Sequence, residues 1–174
     1  YILPRATTDR GQVNVRAIYV FDTSSIPDDN TVDSASFYVQ GTAKVDNGSI
    51  TPNMNLYGGN LPDSITVCAN ADYNTTNNVA FSTAVAYADW STTATNTFAV
   101  NATGLNQISK TGNTMYSLKN ANYDAASTSP VWWSGATASN LKAYFSDQAG
   151  TNNDPRLAIT YSAAAADSAE IDEG

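Results

Sequence analysis

The clearest pattern in the chain is strict alternation. From Val13 to Phe21, the residues Val13, Val15, Ala17, Tyr19 and Phe21 share one face, and Asn14, Arg16, Ile18 and Val20 share the other. A period of two is the mark of a strand, and the apolar character on both faces predicts a central one. Ala35, Phe37 and Val39 alternate with Ser34, Ser36, Tyr38 and Gln40 in a second strand, which Gly41 is predicted to end. Further strand patterns cover roughly Met54 to Tyr57, Ile65 to Ala69, Val79 to Val85, Thr95 to Val100, Met115 to Leu118, Leu141 to Phe145 and Leu157 to Tyr161. Turn formers separate them: Asp46-Asn47-Gly48, Gly58-Gly59, Thr111-Gly112-Asn113 and Asn152-Asn153-Asp154. Between the first two strands, Asp22 to Asp33 reads as a loop, with Ile26-Pro27 holding the backbone extended before a turn at Asp28-Asp29-Asn30. The one helical expectation is a single turn over Gly104 to Ser109. About nine short strands so punctuated predict an all-β fold, an antiparallel β-sandwich or jelly roll.

Composition supports that reading. Ser, Thr and Asn make up 57 of the 174 residues. Their short side-chain hydrogen bonds compete with a helical ladder, while Thr, Val and Tyr suit a pleated, half-buried surface. Leu, Ile, Val and Phe total only 31, so ten Tyr and three Trp must supply much of the buried area in a lean core. A chain of this length buries about 70% of its unfolded surface without a metal or disulfide staple. Cys68 is the one cysteine, which excludes an internal disulfide and reads as an inert, partly buried thiol. Residues 1–12 read as a lead-in or the remnant of an upstream region, 13–162 as the β-sandwich domain and 163–174 as an acidic, Ala-rich tail. That tail carries four acids and no base, half of the formal charge of -8.

The absence of His excludes Ser-His-Asp and Cys-His catalysis, His-ligated zinc and an imidazole pH switch. Eight basic residues spread along an acidic chain leave no footprint for a phosphate backbone, so nucleic acid is not an expected partner. No apolar run is long enough to span a bilayer as a helix, and membrane insertion is not expected. Both Glu, Glu170 and Glu173, lie in the tail, and no Asp spacing nominates a catalytic pair. The expectation is therefore no enzyme and no required cofactor. Three Asn-x-Ser/Thr sequons, at Asn47, Asn74 and Asn101, match the roughly four that this composition produces by chance and carry no weight. An aromatic-Asp pair recurs at Phe21-Asp22 and Tyr123-Asp124, which chance also supplies.

Two groups of residues are candidates for binding. Trp132-Trp133 is the most unusual feature, with Trp90 and Tyr123 as possible neighbours. Adjacent strand residues point to opposite faces, so one indole of the pair lies off the core, either as a flat platform for a sugar ring or as cover for a sheet edge or interface. Asp28, Asp29 and Asp33, with Asn30, form an oxygen-rich loop of a kind that can hold calcium, although the spacing matches no dedicated calcium loop and Asx turns explain it as well.

The run Arg16-Ala-Ile-Tyr-Val-Phe-Asp-Thr-Ser-Ser-Ile-Pro-Asp-Asp-Asn-Thr-Val-Asp-Ser-Ala-Ser-Phe-Tyr-Val39 resembles the signature of DNRLRE domains, β-sandwich modules related to carbohydrate-binding modules. The end of the body, Phe145-Ser-Asp147 through Asp154-Pro-Arg-Leu-Ala-Ile-Thr-Tyr161, is similar to that family's closing strand, and Asn101 to Gly112 is similar to a segment of DNRLRE-like proteins of phage and environmental origin. In this pattern Arg16, Phe21, Asp22, Pro27, Pro155 and Arg156 are structural positions. A buried Arg needs a carboxylate, and with Asp22, Ser24 and Pro27 it sets a strand end and its turn. The resemblance implies a scaffold and not a chemistry. It points to a non-enzymatic module of a virion or extracellular appendage, such as a phage tail, fibre or head decoration. The expected partners are other copies of the chain, other appendage subunits, or surface glycans, and the expected place is the virion, the cell surface or the extracellular space. A carbohydrate-binding module of a polysaccharide-degrading enzyme is the alternative, and a subunit of a cellular surface filament or surface layer the third reading.

Overall fold

The computed structural model describes residues 2–3, 13–62, 67, 69–128, 138–147 and 149–164. These form ten strands: β1 (Ile2–Leu3), β2 (Val13–Asn14), β3 (Ala17–Asp22), β4 (Thr31–Asp46), β5 (Met54–Gly59), β6 (Thr76–Ala80), β7 (Thr95–Ala99), β8 (Asn113–Asn120), β9 (Ser139–Ala143) and β10 (Arg156–Ser162). Three short helical turns accompany them, at Asn70–Thr75, at α1 (Ala102–Leu105) and at Ala121–Ala125. Two of these were not expected. In both α1 and the Ala121–Ala125 turn the residue before the first turn is an Asn, Asn101 or Asn120, whose side chain accepts a backbone N–H.

The strands make two antiparallel sheets. One has the order β10-β4-β9-β1-β2, with β7 also on β4, and the other the order β3-β8-β5-β6. The all-β sandwich read from alternation is the observed fold. Its core is built by the inner faces of both sheets. Phe37 lies opposite Phe98 in the first sheet and Tyr19 opposite Tyr116 in the second. Tyr19 meets Phe37 across the gap with ring centroids 4.9 Å apart, and Phe37 and Phe98 are 6.0 Å apart. The aromatic-rich core compensates for the small number of aliphatic residues.

The alternation from Val13 to Phe21 is not one central strand. Val13–Asn14 pairs with β1 in the first sheet, Val15 and Arg16 leave the ladder, and β3 pairs, among the described residues, only with β8 at the edge of the second sheet. A period of two reports which side chains share a face and is silent about which neighbour the backbone bonds. The expected strand over Val79 to Val85 is shorter and earlier, Thr76–Ala80, with one isolated bridge between Met54 and Val85. The expected strand over Ile65 to Ala69 falls largely outside the described residues, and Val67 and Ala69 are not in a strand.

Gly41 does not end its strand. β4 runs through it for 16 residues, holding β10 and β7 along its first half and β9 along its second, with an irregularity in the ladder between Gly41 and Ala43. A side chain is excluded there because the backbone packs against Trp90 and the Ser91 carbonyl. The glycine marks close approach and not a turn.

Candidate functional site

The outer face of the β3-β8-β5-β6 sheet is unusual for a sandwich. Tyr116 and Leu118 of β8 point into the core, so Met115, Ser117 and Lys119 point the other way, yet all three are buried. Part of this face is closed by the Asn70–Thr75 turn before β6: Gly59 lies against the Met115 side chain and the Thr75 carbonyl, and the Tyr73 carbonyl meets Arg16. Under this cover sits a cluster of charges.

Arg16, in the gap between β2 and β3, is its centre. Its Nε donates to Asp124 Oδ2 at 2.8 Å and its Nη2 to Asp124 Oδ1 at 2.6 Å. Its Nη1 donates to the Tyr73 carbonyl at 2.7 Å and to Thr76 Oγ1 at 2.8 Å. The guanidinium also lies 3.8 Å from the centre of the Tyr73 ring. The two side chains are 14% and 5% exposed. The Asp124 hydrogen bonds hold the guanidinium above its ordinary pKa against the cost of burial. Asp124 is placed by the turn after β8, which Asn120 caps by accepting the Tyr123 N–H at 2.8 Å.

Lys119 is fully buried nearby. Its ammonium crosses above the Tyr57 ring, 4.8 Å from the centroid, and donates to the Asn77 carbonyl at 2.5 Å and to Asn78 Oδ1 at 2.7 Å on β6. Burial, reinforced by the Arg16 charge and only partly opposed by Asp124, pushes its pKa down to about 8. A Lys whose folded pKa lies below its unfolded value carries its penalty in full below that folded value. The penalty is relieved as the pH rises through it, so this group makes the fold more stable between about pH 8 and pH 10. Lys119→Met keeps the stem and removes the charge. Its expected effect at pH 7 is a gain of roughly 1–2 kcal/mol, shrinking toward zero by pH 10. Urea unfolding of both proteins across that range measures it. A gain that grows with pH would contradict the assignment.

Every donor of the guanidinium that points into the cluster, and the Lys119 ammonium, already has an acceptor within the protein. The arrangement is a polar staple joining the strand entry, the β8 turn and the β5–β6 cover.

The residues singled out from sequence go to separate places. Trp132 and Trp133 lie outside the described residues. Trp90 is 2% exposed in the core, so its ring offers no face to a sugar at the surface. Tyr123 is half-buried, and its hydroxyl donates to the Ile50 carbonyl at 2.9 Å. Asp28 and Asp29 are exposed in a turn, and Asp33 is on β4, where it accepts the Ser162 hydroxyl at 3.0 Å. The Lys110 ammonium donates to the carbonyls of Asp28 and Asn30, at 2.9 Å for the latter, so a side-chain cation already serves this loop. No three acidic, His or Cys residues come together among the described residues. Asp22 is not the partner of Arg16. It caps its own turn, accepting the Ser24 N–H at 3.0 Å and hydroxyl at 2.6 Å, which hold its carboxyl below the ordinary range. Pro27 starts the next turn, its carbonyl accepting from Asn30 at 3.0 Å. Phe21 packs edge-on to Phe37 at 6.1 Å. Pro155 precedes β10, and the Arg156 guanidinium lies 4.5 Å above the ring of its cross-strand neighbour Tyr38.

Asp124 and Lys119 were missed from sequence. The Tyr123-Asp124 pair was visible, but nothing in it named an arginine 108 positions away. No protein-family model, no curated protein and no solved structure matches the chain.

Proposed function

We propose that the chain is a non-catalytic β-sandwich module that works as a repeated subunit of a virion or extracellular appendage, in assembly or attachment. The observation that carries this reading is the state of edge strand β7. Among the described residues it pairs only with β4, and its five residues, Thr-Asn-Thr-Phe-Ala, include no charge and no Pro. The Val100 N–H, one residue past the strand, donates to Ala35 at 2.9 Å, so the even positions face β4 and the N–H groups of Thr95, Thr97 and Ala99 face outward. Free-standing sandwiches blunt such an edge with Lys, Pro or a bulge, and one left plain is suited to pairing with a neighbour. The resemblance of the Arg16 to Val39 run to DNRLRE domains supports the same reading, since that run serves here as strand, turn and ion-pair anchor.

The test is mass by light scattering over a wide concentration range, for the wild type and Thr97→Lys. Thr97 is exposed, so the lysine is expected to leave stability within about 0.5 kcal/mol. The wild type is expected to gain mass with concentration and the variant to stay monomeric. A wild type that is monomeric at every concentration would overturn the proposal.

A further inference from the structure

A groove of about 530 Å³ runs beside β3 and touches each residue from Arg16 to Phe21, with Phe145 and Pro155 on its facing wall. Phe145 is 44% exposed there. Arg16 and Asp72 also line the groove, but Asp124 holds the first, and the second accepts the Ala69 N–H at 2.7 Å. The Thr23 N–H donates to the Gly112 carbonyl at 3.1 Å, in the register that sets Tyr19 opposite Tyr116. Ala17, Tyr19 and Phe21 therefore bond to β8, and the backbone N–H and C=O groups of Ile18 and Val20 face the other way, on the free edge.

Among the described residues the other outer strands are blunted. β10 carries Arg156 and an irregularity between Thr160 and Tyr161. On β6 the Asn77 side chain takes the Val79 N–H and the Asn101 side chain takes the Ala80 carbonyl, both at 2.9 Å. β2 is two residues long. Charge, bulges, cover and brevity all keep a sheet edge from pairing. β7, and β3 from Ala17 to Phe21, have none of them.

These two edges lie on opposite sides of the sandwich. β10 and β7 both pair with Ser36, Phe37 and Tyr38, so they flank β4 on opposite sides, and Pro155, which leads into β10, stands beside β3. Pairing β7 with β7 closes a dimer and leaves the β3 groove bare, whereas pairing β7 with β3 uses both edges. Five uncharged residues, Thr95 to Ala99, then meet five more, Ala17 to Phe21. Two copies of a chain with a formal charge of -8 thus come together where neither carries charge.

Resting on the subunit reading above, we propose that β7 of one copy adds as a strand to β3 of the next, in the groove beside Phe145. The contact is heterologous. A joined pair keeps a free β3 at one end and a free β7 at the other, so assembly continues past the dimer.

Val20→Pro removes an N–H that faces away from β8, a place where an edge strand accepts proline. Light scattering is expected to show the wild type passing beyond a dimer as concentration rises, and Val20→Pro and Thr97→Lys each monomeric alone. Mixed in equal amounts, the two variants are expected to form a one-to-one dimer and nothing larger, since the first keeps its β7 and the second its β3. Val20→Lys guards the same edge by charge, should behave as Val20→Pro, and replaces it if circular dichroism shows that the proline disturbs the fold. A wild type that stops at a dimer, a folded Val20 variant that still assembles, or a mixture that stays monomeric while the wild type assembles overturns this inference and leaves the subunit reading standing. A wild type that is monomeric at every concentration overturns both.

Discussion

Asp124→Ala is expected to cost about 3–5 kcal/mol of stability, which in a chain of this size lowers the thermal midpoint by roughly 10 °C. Asp124 takes both of its Arg16 hydrogen bonds in a side-chain environment only 5% exposed. Removing it leaves the guanidinium under the β5–β6 cover with a carbonyl and a hydroxyl but no counter-charge, and the Lys119 ammonium loses its one favourable charge in the cluster. Both cations then share a buried site. The double variant Arg16→Met/Asp124→Leu should recover most of the loss, because an ion pair replaced on both sides by apolar groups of similar size is often neutral. Circular dichroism melts of the three proteins distinguish the cases. If Asp124→Ala falls within 1 kcal/mol of the wild type, the pair is not the anchor of this face.

Gly41→Ala is expected to cost about 3 kcal/mol, near the upper end for an overpacked site. A Cβ at position 41 would collide with the Ser91 carbonyl oxygen and come within 2.8 Å of the Trp90 indole nitrogen and 2.9 Å of the Asn96 amide nitrogen. Ser91 has no room to retreat. The Asn96 side chain brackets it, donating to its carbonyl at 3.0 Å and accepting its N–H at 2.8 Å, and Asn96 itself is buried. The strain must therefore spread into β4 or into Trp90, and a change in tryptophan fluorescence should accompany the lower denaturation midpoint. Stability within about 0.5 kcal/mol of the wild type would show that this approach is looser than described.

Much of the fold was legible because alternation is a local property. Ala35, Phe37 and Val39 lie on the core face and Ser34, Ser36 and Gln40 on the other, as their spacing requires. The same holds for Leu157 and Ile159 between Arg156, Ala158 and Thr160. Such patterns follow from the two-residue period of an extended backbone and need no knowledge of the partner strand. The sandwich class, the approximate positions of most strands and the capping role of the Asp22 turn were within reach of that reasoning.

What sequence could not supply was long-range. Whether Val13 to Phe21 is one strand or two depends on which sheet offers hydrogen bonds at each end. Whether Gly41 turns or continues depends on Trp90 and Ser91, about fifty positions later. The sequence asked for a carboxylate for Arg16 without naming it, and it lies at Asp124, while Lys119, in a stretch with no special composition, is buried against the Tyr57 ring of β5 and Asn77 and Asn78 of β6. The chain alone determined its periodicity, its turns and the chemistry that its missing histidines exclude. Tertiary structure decided which charges meet and which rings pack across the two sheets, because burial and pairing are properties of segments brought together and not of the residues that carry them.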